Sequence, residues 1–296
     1  MEKRFKGIFA PLTTPFKNEN IFIEKFKENI HKYNEFNLSG YVISGSTAES
    51  VYLSDDEVMM LVKSAVESSS SDRQIIAGTA RESTKLTLEF SNRIADLGID
   101  ATLIRTPSYF KSLMTQEALK KHYLTIADLA KVPLIIYHIP RYTGLTFSSE
   151  LLAELSRHEM IAGIKDSSGN IGFLDMVVLL LDPSFDFLLG AGSMLYPGLM
   201  MGARGGILAL SDVAPAQCVH LYNLFKEKRW DEARQLQHDL VPLNQALTVE
   251  HGIPAIKYAL DLIGLYGGPC RLPLLEMKDT DKKKLRDILK SLDLLP

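Results

Sequence analysis

The chain has 296 residues, 46% of them hydrophobic and spread along its whole length, enough to bury a large core in one big domain or two small ones. Its 33 basic and 36 acidic residues leave a net charge of −3, which argues against a polyanion-binding surface and so against a nucleic-acid partner. Two cysteines, Cys218 and Cys270, make no disulfide framework. No apolar run approaches the roughly 20 residues of a membrane span, and the opening Met1-Glu2-Lys3-Arg4-Phe5 has no apolar signal core. A soluble, cytoplasmic protein with free thiols is expected.

In chain order, eight short β-branched apolar runs read as strands: Gly7–Pro11, Gly40–Gly45, Gln74–Gly78, Ala101–Thr106, Pro133–Ile139, Ile161–Lys165, Phe185–Gly190 and Gly206–Ser211. Stretches of helical spacing lie between most of them. Ser54 followed by Asp55-Asp56-Glu57 marks a capped start before Val58–Val66. Ser83-Thr84 opens a helix that Gly98 stops, Thr115 opens one running to about Ala130, and Ser148 opens another. Continuous apolar strands separated by helices imply a parallel sheet covered on both faces. Eight such units predict a closed (β/α)8 TIM barrel over residues 1–213, with an open doubly wound sheet as the alternative. From residue 214 to 296 no strand is apparent. Ala216–Lys228, Trp230–Thr248, Gly252–Leu265 and Thr280–Leu294 read as helices, so an all-helical C-terminal extension is expected.

Reactive groups of such barrels gather at the C-terminal ends of the strands. Lys165 interrupts the apolar run Ile161-Ala162-Gly163-Ile164 there. Burial disfavours an ammonium, which leaves more free amine, and a free amine attacks a ketone to give an iminium that acts as an electron sink. The alternative is a strand-end lysine that reaches solvent. Tyr137, at the end of the neighbouring strand, is a candidate general acid and base, or else a core tyrosine. Ser46 and Thr47, after Gly45, offer hydroxyls and backbone N–H groups suited to a carboxylate, or a turn that caps the next helix. Tyr109 reads as a packing or interface residue, and Glu49 as a structural acid. Arg105 is a cation inside a strand, costly unless paired, and is expected to meet Glu49 or a substrate carboxylate. Asp166 should face away from Lys165. Gly190-Ala191-Gly192 lacks the third glycine of a dinucleotide loop, and the 7 histidines show no metal-ligand spacing, so no metal or organic cofactor is expected.

Four ordered motifs together resemble the dihydrodipicolinate synthase and N-acetylneuraminate lyase family of pyruvate aldolases. Gly45-Ser46-Thr47-Ala48-Glu49-Ser50 is similar to its Gly-Thr-Thr-Gly-Glu-Ser signature. Tyr137-His138-Ile139-Pro140 is similar to its Tyr-Asn-x-Pro element, and Gly163-Ile164-Lys165-Asp166 to its Schiff-base motif. Pro11-Leu12-Thr13-Thr14-Pro15-Phe16 also fits. The resemblance covers essentially the whole chain. It implies a barrel with a C-terminal helical domain in a homotetramer built as a dimer of dimers. It also implies an imine at Lys165, proton shuttling by Tyr137, and a relay through Thr47 that Tyr109 completes across a subunit interface. Ser46 with Thr47 would hold the carboxylate of pyruvate or a related 2-oxo acid, Gly190 and Ile207 would line the pocket, and an aldehyde would be the partner substrate.

Where dihydrodipicolinate synthases carry an arginine two residues beyond the motif's proline, this chain has Tyr142. Arg141 lies one place earlier and would point the other way. Gln235-Leu236-Gln237-His238, Gly252-Ile253-Pro254 and the Tyr266–Leu274 segment are similar to 4-hydroxy-2-oxoglutarate aldolases. The expected activity is therefore aldol chemistry next to pyruvate, with 4-hydroxy-2-oxoglutarate cleavage as the leading reading. The alternatives are dihydrodipicolinate synthesis, a 2-oxo-3-deoxy sugar-acid aldolase or dehydratase, and a non-catalytic 2-oxo acid binding barrel. Tyr142 and Arg105 are the expected selectors of the acceptor.

Overall fold

A computed structural model describes residues 4–295; Met1–Lys3, at the start of the expected barrel domain and of the stretch read as lacking a signal core, and Pro296 of the expected extension lie outside the described residues. Eight parallel strands close into a barrel: β1 (Gly7–Ala10), β2 (Gly40–Ile43), β3 (Gln74–Gly78), β4 (Ala101–Arg105), β5 (Leu134–His138), β6 (Ile161–Asp166), β7 (Asp186–Leu189) and β8 (Gly205–Ile207). Each strand pairs with the next, and β8 returns to β1 through Gly7↔Gly205 to Phe9↔Ile207. Among the described residues the barrel has no unpaired edge.

Strand period two divides the residues cleanly. Phe9, Val42, Ile76, Leu103, Ile135, Leu188 and Ile207 point inward and pack into the barrel interior. Ile8, Tyr41, Ile75, Ile104, Ile136, Ile164 and Phe187 point outward into the larger core shared with the helices. With both faces buried, every strand reads as an apolar run rather than an alternating one. Helix starts follow the caps: Ser54 and Glu57 form a reciprocal capping box, and Ser83, Thr115 and Ser148 each accept an N–H three residues on. Each such cap contributes about 1 kcal/mol.

The expected strand Gly206–Ser211 is a three-residue β8 followed by a helical turn, Leu210–Val213. Ser211 donates its hydroxyl to Leu208 O and Phe9 O, which bends the chain off the barrel, and a short apolar run does not distinguish the two conformations. Ile23–Tyr33, Ile171–Val178 and Leu195–Met200 are helices beyond those expected from the sequence. The helix Pro215–Lys226 lies against β1 and against Leu195–Met200, so it completes the barrel's outer ring. Trp230–Asn244 continues into a π-helical segment, Gln245–Glu250, and then Ile253–Leu262. That π segment reaches the C-terminal mouth of the barrel, where π turns often mark functional ground.

Candidate active site

Register builds the site. Arg105 on β4 pairs with Tyr137 on β5, and Tyr137 pairs with Lys165 on β6, so three inward-facing side chains form one row across the barrel mouth. Lys165 is 4% exposed, and its Nζ lies 4.4 Å from the centre of the Tyr137 ring. The next residues on each strand, His138 and Asp166, are also register partners but face outward. His138 Nδ1 and Asp166 Oδ1 are 2.7 Å apart, with the imidazole between Phe147 and Phe173. Asp166 also accepts from the Ser168 hydroxyl (2.8 Å) and backbone N–H (3.2 Å). The outward pair thus clamps together the two strands that carry the phenol and the amine. Gly190 closes the lysine's side of the mouth; a Cβ there would collide with the Ser167 hydroxyl, so the close approach of the two loops requires glycine.

After β2 the chain turns through Ser46–Ala48 and Ser50–Tyr52, with Glu49 between them in a left-handed conformation at φ 59°. This turn brings Ser46 Oγ to 3.4 Å from the Tyr137 hydroxyl. Thr47 lines the same cavity as Lys165 but makes no hydrogen bond with Tyr137 among the described residues. The hydroxyl nearer the phenol is therefore that of Ser46, because the turn aims residue 46 rather than 47 at it.

Around Lys165 opens a cavity of about 300 Å³. Thr47, Tyr137, Gly190 and Tyr142 line it, and the π segment covers it with Leu247 and Thr248. Arg141 ties that cover down by donating to Thr248 O (2.8 Å) and Val249 O (3.3 Å). Tyr142 stands exposed at the rim. Ile207, expected in the lining, is fully buried with Tyr137 and Leu188 in the packed layer beneath; Ala209 lines the cavity instead.

A second cavity of about 210 Å³ adjoins the first and shares Ser46 and Tyr137 with it; Arg81, Glu82 and Arg105 form its far side. Arg105 does not meet Glu49. It pairs with Glu82 Oε1 at 2.8 Å and donates to Thr106 O, because its side chain leaves β4 towards the β3 loop. Burial would raise the Glu82 carboxyl, but the N–H groups of Tyr109 and Ser108 and the Arg105 guanidinium hold it below the usual carboxylate range. Glu49 instead forms an ion pair with Lys257 Nζ at 2.5 Å and accepts a hydrogen bond from the Arg271 backbone N–H at 2.8 Å, both of them contacts to the C-terminal extension. Tyr109 is 81% exposed, stacked edge-on against Phe110, and touches neither Tyr137 nor Lys165 through any ring contact or hydrogen bond among the described residues.

Asp212, which the sequence alone did not single out, lies fully buried just past β8, and neither carboxylate oxygen has a hydrogen-bond partner among the described residues. Burial pushes its carboxyl well up, while the Lys165 charge pulls it down. The signal for it in the sequence is one carboxylate inside the apolar run from Gly206 to Ala214. Among the described residues no cluster of three or more His, Cys, Asp or Glu could hold a metal ion, and both cysteines are free. Among the described residues no helix is long and apolar enough to cross a membrane.

The model of the dihydrodipicolinate synthetase family matches residues 4–292. Curated relatives include the 4-hydroxy-tetrahydrodipicolinate synthases of Methanothrix thermoacetophila, 32% identical over 96% of each chain, and of Methanosphaerula palustris, 32% identical over 98% of this chain and 100% of the relative. Among solved structures, dihydrodipicolinate synthase from Thermotoga maritima superposes with a TM-score of 0.95 at 29% identity, covering 99% of this chain and 100% of that one. That from Aquifex aeolicus gives 0.94 at 29% identity, covering 98% and 99%. The chain therefore belongs to the dihydrodipicolinate synthetase family and is a lyase of the lysine-imine, class I aldolase type.

Proposed function

We propose that Lys165 captures the ketone of pyruvate. Its amine attacks C2, the carbonyl oxygen leaves as water, and Tyr137, deprotonated after giving its proton to that oxygen, takes a C3 proton as the C–H electron pair passes into the iminium to give an enamine. The enamine carbon attacks an aldehyde, the new alkoxide takes a proton, and water releases the product; cleavage is the same sequence reversed. Tyr137 moves the protons to and from the departing oxygen, and Ser46 passes them on. The turn at Ser46 and Thr47 holds the pyruvate carboxylate beside the lysine. The observation that carries this reading is the buried Lys165 amine in register with Tyr137. Reduction with borohydride in the presence of pyruvate, followed by peptide mass spectrometry, tests it. The expected product is a carboxyethyl group on Lys165, and folded protein left unmodified there would end the proposal.

For the acceptor, relatives matched along the whole chain and named 4-hydroxy-tetrahydrodipicolinate synthase support that reaction, with aspartate semialdehyde as the aldehyde. One observation favours 4-hydroxy-2-oxoglutarate cleavage instead: Tyr142 stands two residues beyond Pro140, and Arg141 is committed to the carbonyls of Thr248 and Val249. Condensation of pyruvate with aspartate semialdehyde, run beside pyruvate release from 4-hydroxy-2-oxoglutarate, separates the two. The larger kcat/KM decides.

A further inference from the structure

The row Arg105–Tyr137–Lys165 places a cation two strands from the reacting amine. Strands lie about 4.8 Å apart, so Arg105 is displaced from Lys165 by roughly 10 Å at the backbone. That is too far for the carboxylate of an imine-bound pyruvate, which is one bond from the imine carbon. It suits a carboxylate at the distal end of an acceptor that enters on the Tyr137 side. The second cavity, with Ser46 and Tyr137 on one side and Arg105 on the other, provides the space.

The other two arginines of the mouth are not available. Arg81 gives Nε and Nη2 to Asp55 and Nη1 to Ala80 O, and its guanidinium lies 4.0 Å over the Phe90 ring. Arg141 is held by the π segment. Arg105 engages the protein through Nη1 alone; its Nη2 and Nε make no hydrogen bond among the described residues. Its anion, Glu82, is also held by the Ser108 and Tyr109 N–H groups, so it keeps partners when the guanidinium turns away.

We infer that Arg105 recognises the acceptor through a carboxylate, which makes the second substrate an anionic aldehyde rather than a neutral sugar-derived one. This rests on the imine reading at Lys165. Glu82 then acts as a resident competitor for the same guanidinium.

The test compares wild type, Arg105→Met, Arg105→Lys and Glu82→Gln with pyruvate plus either glyoxylate or acetaldehyde, after borohydride trapping of each protein with pyruvate alone. Trapping at Lys165 should be equal in all four. Arg105→Met should raise KM for glyoxylate ~10–100-fold, the range of a charge-assisted hydrogen bond, and leave acetaldehyde unchanged. Arg105→Lys should fall between them. Glu82→Gln should shift KM for glyoxylate downward, an opposite sign that needs no loss of the arginine and stands even if Arg105→Met fails to fold. Equal losses for both aldehydes, or unchanged glyoxylate kinetics, would overturn the role of Arg105. Wild-type protein that gives no adduct at Lys165 removes the imine reading itself, and the acceptor site with it.

Discussion

Lys257 and Glu49 form an ion pair 2.5 Å long with side chains only 1% and 0% exposed. It joins the helix Ile253–Leu262 of the C-terminal extension to the turn that carries Ser46 and Thr47, and Pro269 O accepts a hydrogen bond from the same ammonium at 2.7 Å. Burial holds the Lys257 ammonium below the ordinary lysine range, and Glu49 opposes that shift. Lys257→Met leaves a buried carboxylate without its cation. The expected loss is about 3–5 kcal/mol of stability, measured by urea unfolding. The double variant Glu49→Gln/Lys257→Met, with no stranded charge, should recover part of it; a double variant no more stable than the single one would contradict the account.

The division of labour proposed for Lys165, Tyr137 and Ser46 has a kinetic signature. Lys165→Met should lose both the borohydride adduct and turnover. Tyr137→Phe keeps the ring beside the amine but removes the proton carrier, so kcat should fall ~10²–10⁴-fold in a protein of unchanged melting temperature. Ser46→Ala should lower kcat more than Thr47→Val does, since the Ser46 hydroxyl is the one facing Tyr137. The reverse order would return the relay to Thr47.

The barrel was legible because eight short apolar runs, continuous since both strand faces are buried, alternate with stretches of helical spacing, four of them with capped starts. Lys165 was legible because a lysine inside Ile161–Asp166 breaks the apolar pattern. What was not legible is set by direction and distance rather than by residue type. The difference between Ser46 and Thr47 is the rotation of one short turn that ends in a left-handed Glu49, whose carboxylate is held by Lys257 and by the Arg271 N–H from the far end of the chain. Arg105 meets Glu82 rather than Glu49 because its side chain leaves β4 towards the β3 loop, while Glu49 pairs with a helix more than 200 residues away. Ile207 has the right strand parity, but parity does not say which layer of the barrel interior is packed and which is open.

Tyr109, Phe110 and Leu113 form an exposed apolar patch on the loop after β4, with Tyr109 81% and the other two each 66% exposed. Patches of this kind mark interfaces. The homotetramer that the family resemblance implies would cover this one and carry Tyr109 toward a partner's site. Phe110→Glu should then lower the sedimentation mass of the protein at micromolar concentration and reduce turnover with it. Unchanged mass would place the interface elsewhere.

His122 packs edge-on against Tyr123, shares a 2.9 Å hydrogen bond with Thr84, and has no partner for Nε2 among the described residues. Burial lowers its pKa to about 4, with Glu82 pulling weakly upward. A histidine depressed in the fold binds its proton sooner when unfolded, so its contribution is present above the unfolded value near 6.5 and is lost as pH falls towards about 4. The full loss is about 3 kcal/mol. Urea titrations of His122→Phe between pH 7 and 4 should show a shallower decline than wild type. Parallel curves would mean that His122 carries none of the acid sensitivity.

Asp212 carries the opposite sign. Its carboxyl is raised by burial, so folding favours its protonated form; that stability is present below the unfolded value near 3.8 and is lost as pH rises towards the folded one. At neutral pH the wild type therefore holds either a neutral acid at the cost of taking up a proton or a buried charge that only Lys165 offsets. Asparagine has nearly the same shape and no proton to lose. Asp212→Asn should melt higher than wild type at pH 7, and the gap should close as pH is lowered to 4, by calorimetry across that range. Because Lys165 is the one cation that lowers the Asp212 carboxyl, the gap should also widen in Lys165→Met, where that offset is gone. A variant that melts lower at pH 7 would mean that the Asp212 carboxylate is ionised and well compensated in the folded protein.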